Sequence, residues 1–492
     1  MFRKRYSSKA RRYRPKLQVL ETRNLLSTCV VNHLADDSVG SGLYGSLRYC
    51  IANAVDGDAV TFAVTGTINL DTYPGELDLA HNIRIEGPGA NLLTVRRDFD
   101  NLGPYFRIFT VLPAATVNIS GLTVANGYST SFGGGIANFG TLTLDKTAVV
   151  GNTADECPSG KCGFPPPASG GGIGNNGTLT INDSTISGNH AVRDGGGIAN
   201  GDSFTWEGGS VTLNNSTVAG NRASAGGGIY KTSGAATLTI SNSTIARNEA
   251  LIGGGGGIRG QATLRNTIRA LNSDDPTTGH IDGSYNLIGG DPLLGSLQDN
   301  GGPTQTMALL TASPALNAGD PAQLGVPDQR GVVRSGGVNI GAYQASAGAF
   351  VLTGPNTATA GTPFDVTVKA VDIFGQTALG YTGTATFSTT DPDPGVVLPP
   401  DYTFTASDQG THTFSGGFTL MTPGDEMLTA TDSASGFSAS TVVTVQGAGP
   451  APGRHRGTDS MDAVFSVLAA ESSRHGNPNS ALAFWDGLLT VS

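Results

Sequence analysis

The chain has 492 residues, with 72 glycines, 14% charged and 38% hydrophobic residues. Glycine at about twice and charge at about half the usual share exclude a disordered polyelectrolyte and suit stacked β-structure. The net charge of −10 divides unevenly: residues 1–25 carry nine Lys/Arg and one acid, the rest 20 basic and 38 acidic residues, an acidic body that repels nucleic acid and anionic membranes.

In chain order, residues 1–28 form a basic segment with Arg3, Lys4, Arg5, Lys9, Arg11 and Arg12. It lacks the 7–15 apolar residues of a secretory signal. Its end, Leu20-Glu21-Thr22-Arg23-Asn24-Leu25-Leu26-Ser27, resembles the LEPR-XLL segment of large exported bacterial proteins, with Thr22 in place of proline. Two readings stand, a solvated basic arm and an export leader. Residues 29–55 read as a strand and a short helix, because Leu47, Cys50, Ile51 and Ala54 share one helical face behind Ser46 as N-cap. Gly45-Ser46-Leu47-Arg48 resembles the opening of many secreted β-helix proteins, where such a helix seals the first coil; Arg48 is read as part of that cap. Residues 58–127 hold irregular alternating runs (Val60–Val64, Ile83–Gly87, Arg107–Val111, Val117–Val124), read as early coils.

From Gly133 to Ser273 the chain repeats itself. Triple glycines followed by Ile136, Ile173, Ile198, Ile229 and Ile258 each lead into a Leu-Thr-Leu-like alternation. The isoleucine spacings of 37, 25, 31 and 29 residues are those of a solenoid. Alternation without helical periodicity gives two or three short strands per unit, hence a parallel β-helix. Asn152, Asn189, Asn221, Asn248 and Asn272 recur at one corner, where asparagine tolerates left-handed backbone and its amide can bond to the coils above and below. The glycines mark a bend with no room for Cβ or with positive φ. The pattern resembles the right-handed parallel β-helix superfamily, in particular the repeats of polymorphic outer-membrane proteins. The resemblance implies a fold more than a function, because adhesins and polysaccharide-cleaving enzymes share the scaffold.

The phrases Gly301-Gly302-Pro303-Thr304-Gln305-Thr306, Ser313-Pro314-Ala315-Leu316-Asn317, Asp328-Gln329-Arg330-Gly331 and Asn339-Ile340-Gly341-Ala342-Tyr343 resemble the choice-of-anchor Q region. That likeness places the end of the β-helix near Gln344. Residues 349–446 carry about seven alternating runs separated by Gly, Pro and Asp turns, and resemble a bacterial immunoglobulin-like spacer without intersheet cysteines. Residues 447–492 read as a linker and a short helix with Met461, Val464, Phe465 and Leu468 on one face.

The four cysteines pair by proximity, Cys29 with Cys50 and Cys157 with Cys162, as disulfides of an exported protein. Zinc needs four ligands, and no histidines cluster near Cys157 and Cys162. Equivalent repeat positions offer Lys146, Asp183, Asn215 and Asn242, preceded by Asp145, Asn182, Asn214 and Ser241. Neither column carries the facing carboxylates of a glycosidase or an acidic cluster for a lyase. Arg222 and Arg247 read as one weak basic column with Gly151 and Gly188. Asp274-Asp275 and Asp391-Pro392-Asp393 are the only weak Ca²⁺ candidates, and are read as turn formers.

No catalytic, cofactor or metal residue is therefore assigned. The expectation is a monomeric, non-catalytic, exported cell-surface or extracellular protein, with the β-helix as stalk for adhesion or envelope structure and glycans or surface proteins as partners. The alternative is a polysaccharide-binding or -cleaving β-helix protein. An autotransporter passenger ranks below both, for want of a C-terminal run of membrane strands.

Overall fold

The computed structural model describes residues 27–447, apart from 72–74, 99–104, 157–167, 202–207, 235, 253, 274–280, 311, 336, 373–374 and 435. The chain coils into a parallel β-helix. Each regular coil has four strands, as in Ile136–Asn138, Thr141–Asp145, Ala148–Val150 and Thr153–Ala154. Stacked coil on coil, the described strands build sheets of 7, 12, 9 and 5 strands respectively. These are called here the isoleucine, long, threonine and short sheets.

Register follows the sequence repeat. Ile136, Ile173, Ile198, Ile229 and Ile258 pair one above the next. Leu142, Leu179, Val211 and Leu238 do the same on the long sheet, and Val149, Ile186, Val218 and Ile245 on the threonine sheet. All these side chains are buried in one continuous core. A one-residue slip would turn every apolar column outward, so alternation fixes the register.

The bends are set by backbone geometry. Left-handed residues stand at two corners: Lys146, Asp183, Asn215, Asn242 and Asn266 between the long and threonine sheets, and Gly151, Gly188, Gly220, Arg247 and Leu271 after the threonine sheet. The expectation that Asn152 and its equivalents adopt this conformation is corrected, because the left-handed residue is the one before each of them. Within the triple glycines, the first has positive φ (Gly195, 64°), while the second lies against the next coil. A Cβ on Gly196 would sit 2.5 Å from the carbonyl oxygens of both Arg222 and Gly227. Since both obstacles are backbone, Gly196→Ala is expected to cost about 1–3 kcal/mol. Gly220→Ala meets no atom within 4 Å but has φ 65°, and should cost only about 1 kcal/mol. Thermal melting of the pair separates steric crowding from backbone strain.

The first coil is closed by the helix Leu47–Ala52. The Ser46 hydroxyl accepts from the Tyr49 amide at 3.1 Å, and Leu47, Cys50 and Ile51 are buried. A disulfide joins Cys50 to Cys29 on the first strand. Arg48 reaches both carboxylate oxygens of Asp36 at 2.8 and 2.9 Å and the Gly75 carbonyl at 2.7 Å.

At the other end the described coils stop at Leu287–Ile288. The β-helix therefore does not run on to Gln344 as expected. Leu294–Gln298 and Thr306–Leu309 instead pair antiparallel, and the chain to Gln344 is laid back along the outside of the solenoid as a strap. Gly301-Gly302-Pro303, Ser313-Pro314 and Asp320-Pro321 interrupt any further ladder, because proline has no amide hydrogen to donate. Beyond it lies a module of two sheets, one of Ala349–Thr353, Phe364–Val371 and Thr411–Phe418, the other of Thr357–Thr359, Ser438–Gln446, Gly424–Asp432, Thr384–Thr389 and Tyr402–Thr403. Both sheets contribute to a core containing Phe350, Val366, Phe414, Leu428 and Val443.

Candidate functional site

The outer face of the threonine sheet is the part of the solenoid that can hold something. Its first outward column reads Thr67, Thr94, Thr123, Ala148, Thr185, Thr217, Thr244, Ile268 from coil to coil. The second reads Asn69, Arg96, Ala125, Val150, Ser187, Ala219, Ala246, Ala270 in the same pairings. A solvated face would carry longer polar side chains. These are short, and from Thr185 onward they are buried, with Thr217 and Ala246 0% exposed.

The strap is what buries them. Ala219, Ala246, Ile268 and Ala270 pack with Leu294, Met307, Leu309, Ile340 and Tyr343 in a second apolar core. Threonine hydroxyls form a rail for the strap's polar groups. Thr185 donates to the Gln305 carbonyl at 2.6 Å and Thr217 to the Gln329 side-chain oxygen at 2.7 Å, while Thr244 accepts from the Ala342 amide at 3.1 Å. The Gln329 amide nitrogen reaches back to the Ser184 carbonyl and the Thr185 hydroxyl. Arg330, fully buried, joins the strap to the C-terminal module by pairing with Asp328 at 3.0 Å and Asp372 at 2.6 Å.

The strap stops part-way along this face. N-terminal to it, the coils of Thr67, Thr94, Thr123 and Ala148 floor a groove of about 470 Å³, walled by Ala90, Asn91 and Asn126 and closed at one end by Asp299, Gly302, Pro303, Thr304 and Gln305 of the strap. Arg96 lies in it half-buried, its Nε donating to Asn69 Oδ1 at 2.7 Å. The combination of a narrow apolar floor, hydroxyls and one cation is suited to binding. It offers no facing pair of carboxylates for glycoside hydrolysis among the described lining residues.

The corner asparagines form a ladder. Asn152, Asn189, Asn221, Asn248 and Asn272 each accept at Oδ1, from the preceding member's amide at 2.9–3.0 Å in the four successive pairs. Each side-chain nitrogen bonds to the next Oδ1 or to a backbone carbonyl. A second ladder escaped the sequence reading: Asn138 donates to Asn175 and Asn175 to Asn200, at 2.7 and 2.8 Å. A third runs through Thr147, Ser184 and Ser216, each amide donating to the next hydroxyl. Both of these columns are visible in the sequence, as repeats of Asn after Gly-Ile-x and of Ser/Thr before the third strand.

Asp145, Asn182, Asn214 and Ser241 stack in register on the long sheet, with Asn214 donating to Asn182 at 3.0 Å. Arg222 and Arg247 do not share a column. Arg222 stacks with His190 and Glu249, while Arg247 occupies the left-handed position of Gly151 and Gly188 and donates to the Leu294 carbonyl at 3.0 Å. The shared Arg–Asn contexts had obscured a one-residue offset on either side of the ladder. Cys157, Cys162, Asp274 and Asp275 lie outside the described residues. Asp391 is a closed turn. Despite burial, the Thr422 hydroxyl and the amides of Met421, Thr422 and Asp393 hold its carboxyl at about 2. Among the described residues no three His, Cys, Asp or Glu side chains gather for a metal ion, and no helix is long and apolar enough to cross a membrane.

Asp183 is the exception among the corner residues. Burial first, and then the neighbouring Asp145, raise its carboxyl from 3.8 to about 6. A raised folded-state value means the folded chain binds more protons than the unfolded chain, so stability falls as pH rises from about 4 to about 6. Asp183→Asn, which matches Asn215 and Asn242 in the next coils, is expected to raise the denaturation midpoint at pH 7 and to remove that slope. Urea titrations of both proteins across pH 4–7 check it.

The chain matches no protein-family description, no curated protein and no solved structure.

Proposed function

We propose that this protein is a non-catalytic scaffold, exported to the cell surface or secreted, in which the β-helix is a rigid stalk for adhesion or envelope structure. The observation that carries the reading is the Cys29–Cys50 disulfide tying the first strand to the cap helix. Such bonds persist in oxidising compartments. The low charge, the buried hydrogen-bonded ladders and the strap support a body built to stay folded without a catalytic centre. The likenesses of the repeats, of residues 300–344 and of the leader to bacterial surface proteins support it as well, with the C-terminal module as an immunoglobulin-like spacer.

Protease treatment of intact cells, combined with thiol trapping, tests the proposal. The protein is expected to be degraded without permeabilisation, with Cys29 and Cys50 resistant to alkylation until reduced. Full protection from protease together with freely alkylated thiols would place it inside the cell and overturn the reading.

A further inference from the structure

The groove and the strap bed are one surface. The two outward columns of the threonine sheet continue from the strap-covered coils into the groove without a break in register. On the covered half the molecule shows what that surface binds: polypeptide, held by threonine hydroxyls at three separate points of the strap, the Gln305 carbonyl, the Gln329 side chain and the Ala342 amide, with apolar side chains over alanines. Thr67, Thr94, Thr123, Ala125 and Ala148 line the groove and offer the same surface to a second segment. The hydroxyl of Thr123 is engaged by the Ala90 carbonyl at 2.6 Å, leaving the rail chiefly to Thr67 and Thr94.

The two ends of the groove differ in chemistry. Beside the strap, Ala125, Ala148 and Val150 form an apolar floor; Arg96 stands one coil beyond Ala125 and two beyond Val150, and its guanidinium has one hydrogen bond among the described residues, to Asn69. One to two coil steps of ~4.8 Å span about 5–10 Å. Two residues of extended chain at ~3.3 Å each reach about 7 Å, within that span, and put both side chains on the same face. None of the described lining residues is aromatic, so the groove has no ring on which a sugar face would stack.

We propose that the open half of this face binds an extended polypeptide segment of a partner protein, with an aliphatic side chain over Ala125, Ala148 and Val150 and a carboxylate two residues away on Arg96. The inference does not depend on export: it stands on the continuity of the strap bed and the placement of Arg96. In effect the strap is a built-in first ligand, and its end at Asp299–Gln305 sets where the second begins.

A phage-displayed random octapeptide library panned on the purified full-length protein tests it, with two variants as counter-targets. Ala148→Trp fills the apolar end, and Arg96→Glu reverses the charge at the other. Circular dichroism and melting curves confirm that each is folded. Enriched peptides are expected to carry an aliphatic residue and an Asp or Glu two positions apart. Their affinity by fluorescence polarisation should fall at least ~10-fold on Ala148→Trp, equivalent to about 1.4 kcal/mol. Panning on Arg96→Glu should select Lys or Arg at the acidic position, so the proposal stays testable even if the tryptophan variant misfolds. Peptides indifferent to both variants, or none enriched, would overturn it. So would an oligosaccharide-array signal abolished by Ala148→Trp, which would give the groove to a glycan.

Discussion

Asn221→Ala is expected to lower stability by about 4 kcal/mol, the largest loss from any single change in the repeats. The side chain is 0% exposed and sits in the middle of the ladder. Its Oδ1 accepts from the Asn189 amide at 3.0 Å and from the Asn189 side chain at 2.9 Å. Its Nδ2 donates to the Ile186 carbonyl and to Asn248 Oδ1, both at 2.9 Å. Truncation removes all four bonds, leaves the Asn189 amide with no acceptor in a space closed to water, and opens a small cavity. Each buried polar group left unpaired costs ~1–3 kcal/mol. Coils touch only their neighbours, so the weakness would be felt at two interfaces at once. Asn214→Ala is the control, because that half-buried asparagine has one side-chain bond, to Asn182, and should cost under about 1 kcal/mol. Guanidinium denaturation of both variants decides the matter. Equal losses would mean that the ladder contributes no more than any surface amide.

The ladder was legible because a side chain that recurs once per coil can only stack on itself. The same logic made the isoleucine and leucine columns readable, since period-two alternation within a unit and a fixed phrase between units leave one register that buries everything. What was not legible is the role of a position one residue away. Asparagine's tolerance of left-handed backbone suggested that Asn152, Asn189 and Asn221 make the bend, yet Gly151, Gly188 and Gly220 make it and free the asparagines to point inward. Backbone conformation and side-chain direction change with each residue, whereas a repeat is read in blocks.

The strap was missed for a different reason. Residues 300–344 have the glycines, short polar runs and isolated apolar residues of an irregular coil, and nothing local separates a coil from a segment laid over one. The signal lay elsewhere, in the outward positions of the threonine sheet. Thr94 and Arg96 give way to Thr217 and Ala219, then to Thr244 and Ala246, and finally to Ile268 and Ala270. A face that turns from polar to apolar along the solenoid is a face that becomes covered. The groove is where that change has not yet happened, which is why no motif marks it.

Arg330→Met is expected to destabilise the protein by about 3–5 kcal/mol and to loosen the strap from the C-terminal module. Arg330 Nε and Nη2 bond to Asp328, Nη1 bonds to Asp372, and the carbonyls of Asn300 and Gln344 take two further donors. The guanidinium lies 3.7 Å from the centre of the Tyr343 ring. None of the three charged side chains is more than 1% exposed, so methionine would strip both buried carboxylates of their Arg330 partner. Breaking such a pair from one side is far more costly than replacing it whole. Adding Asp372→Asn to Arg330→Met should therefore recover part of the loss; Asp328 is kept, because its two oxygens also accept from the amides of Arg330, Val332 and Gln344. Denaturation midpoints, together with limited proteolysis around residues 345–348, read both effects. If that double variant is no more stable than Arg330→Met, the loss comes from the packing of the arginine on Tyr343 rather than from the stranded Asp372 charge. Recovery would instead establish that the buried charges lock the strap's end in place, so that the bed it covers, and the groove it leaves open, keep one boundary.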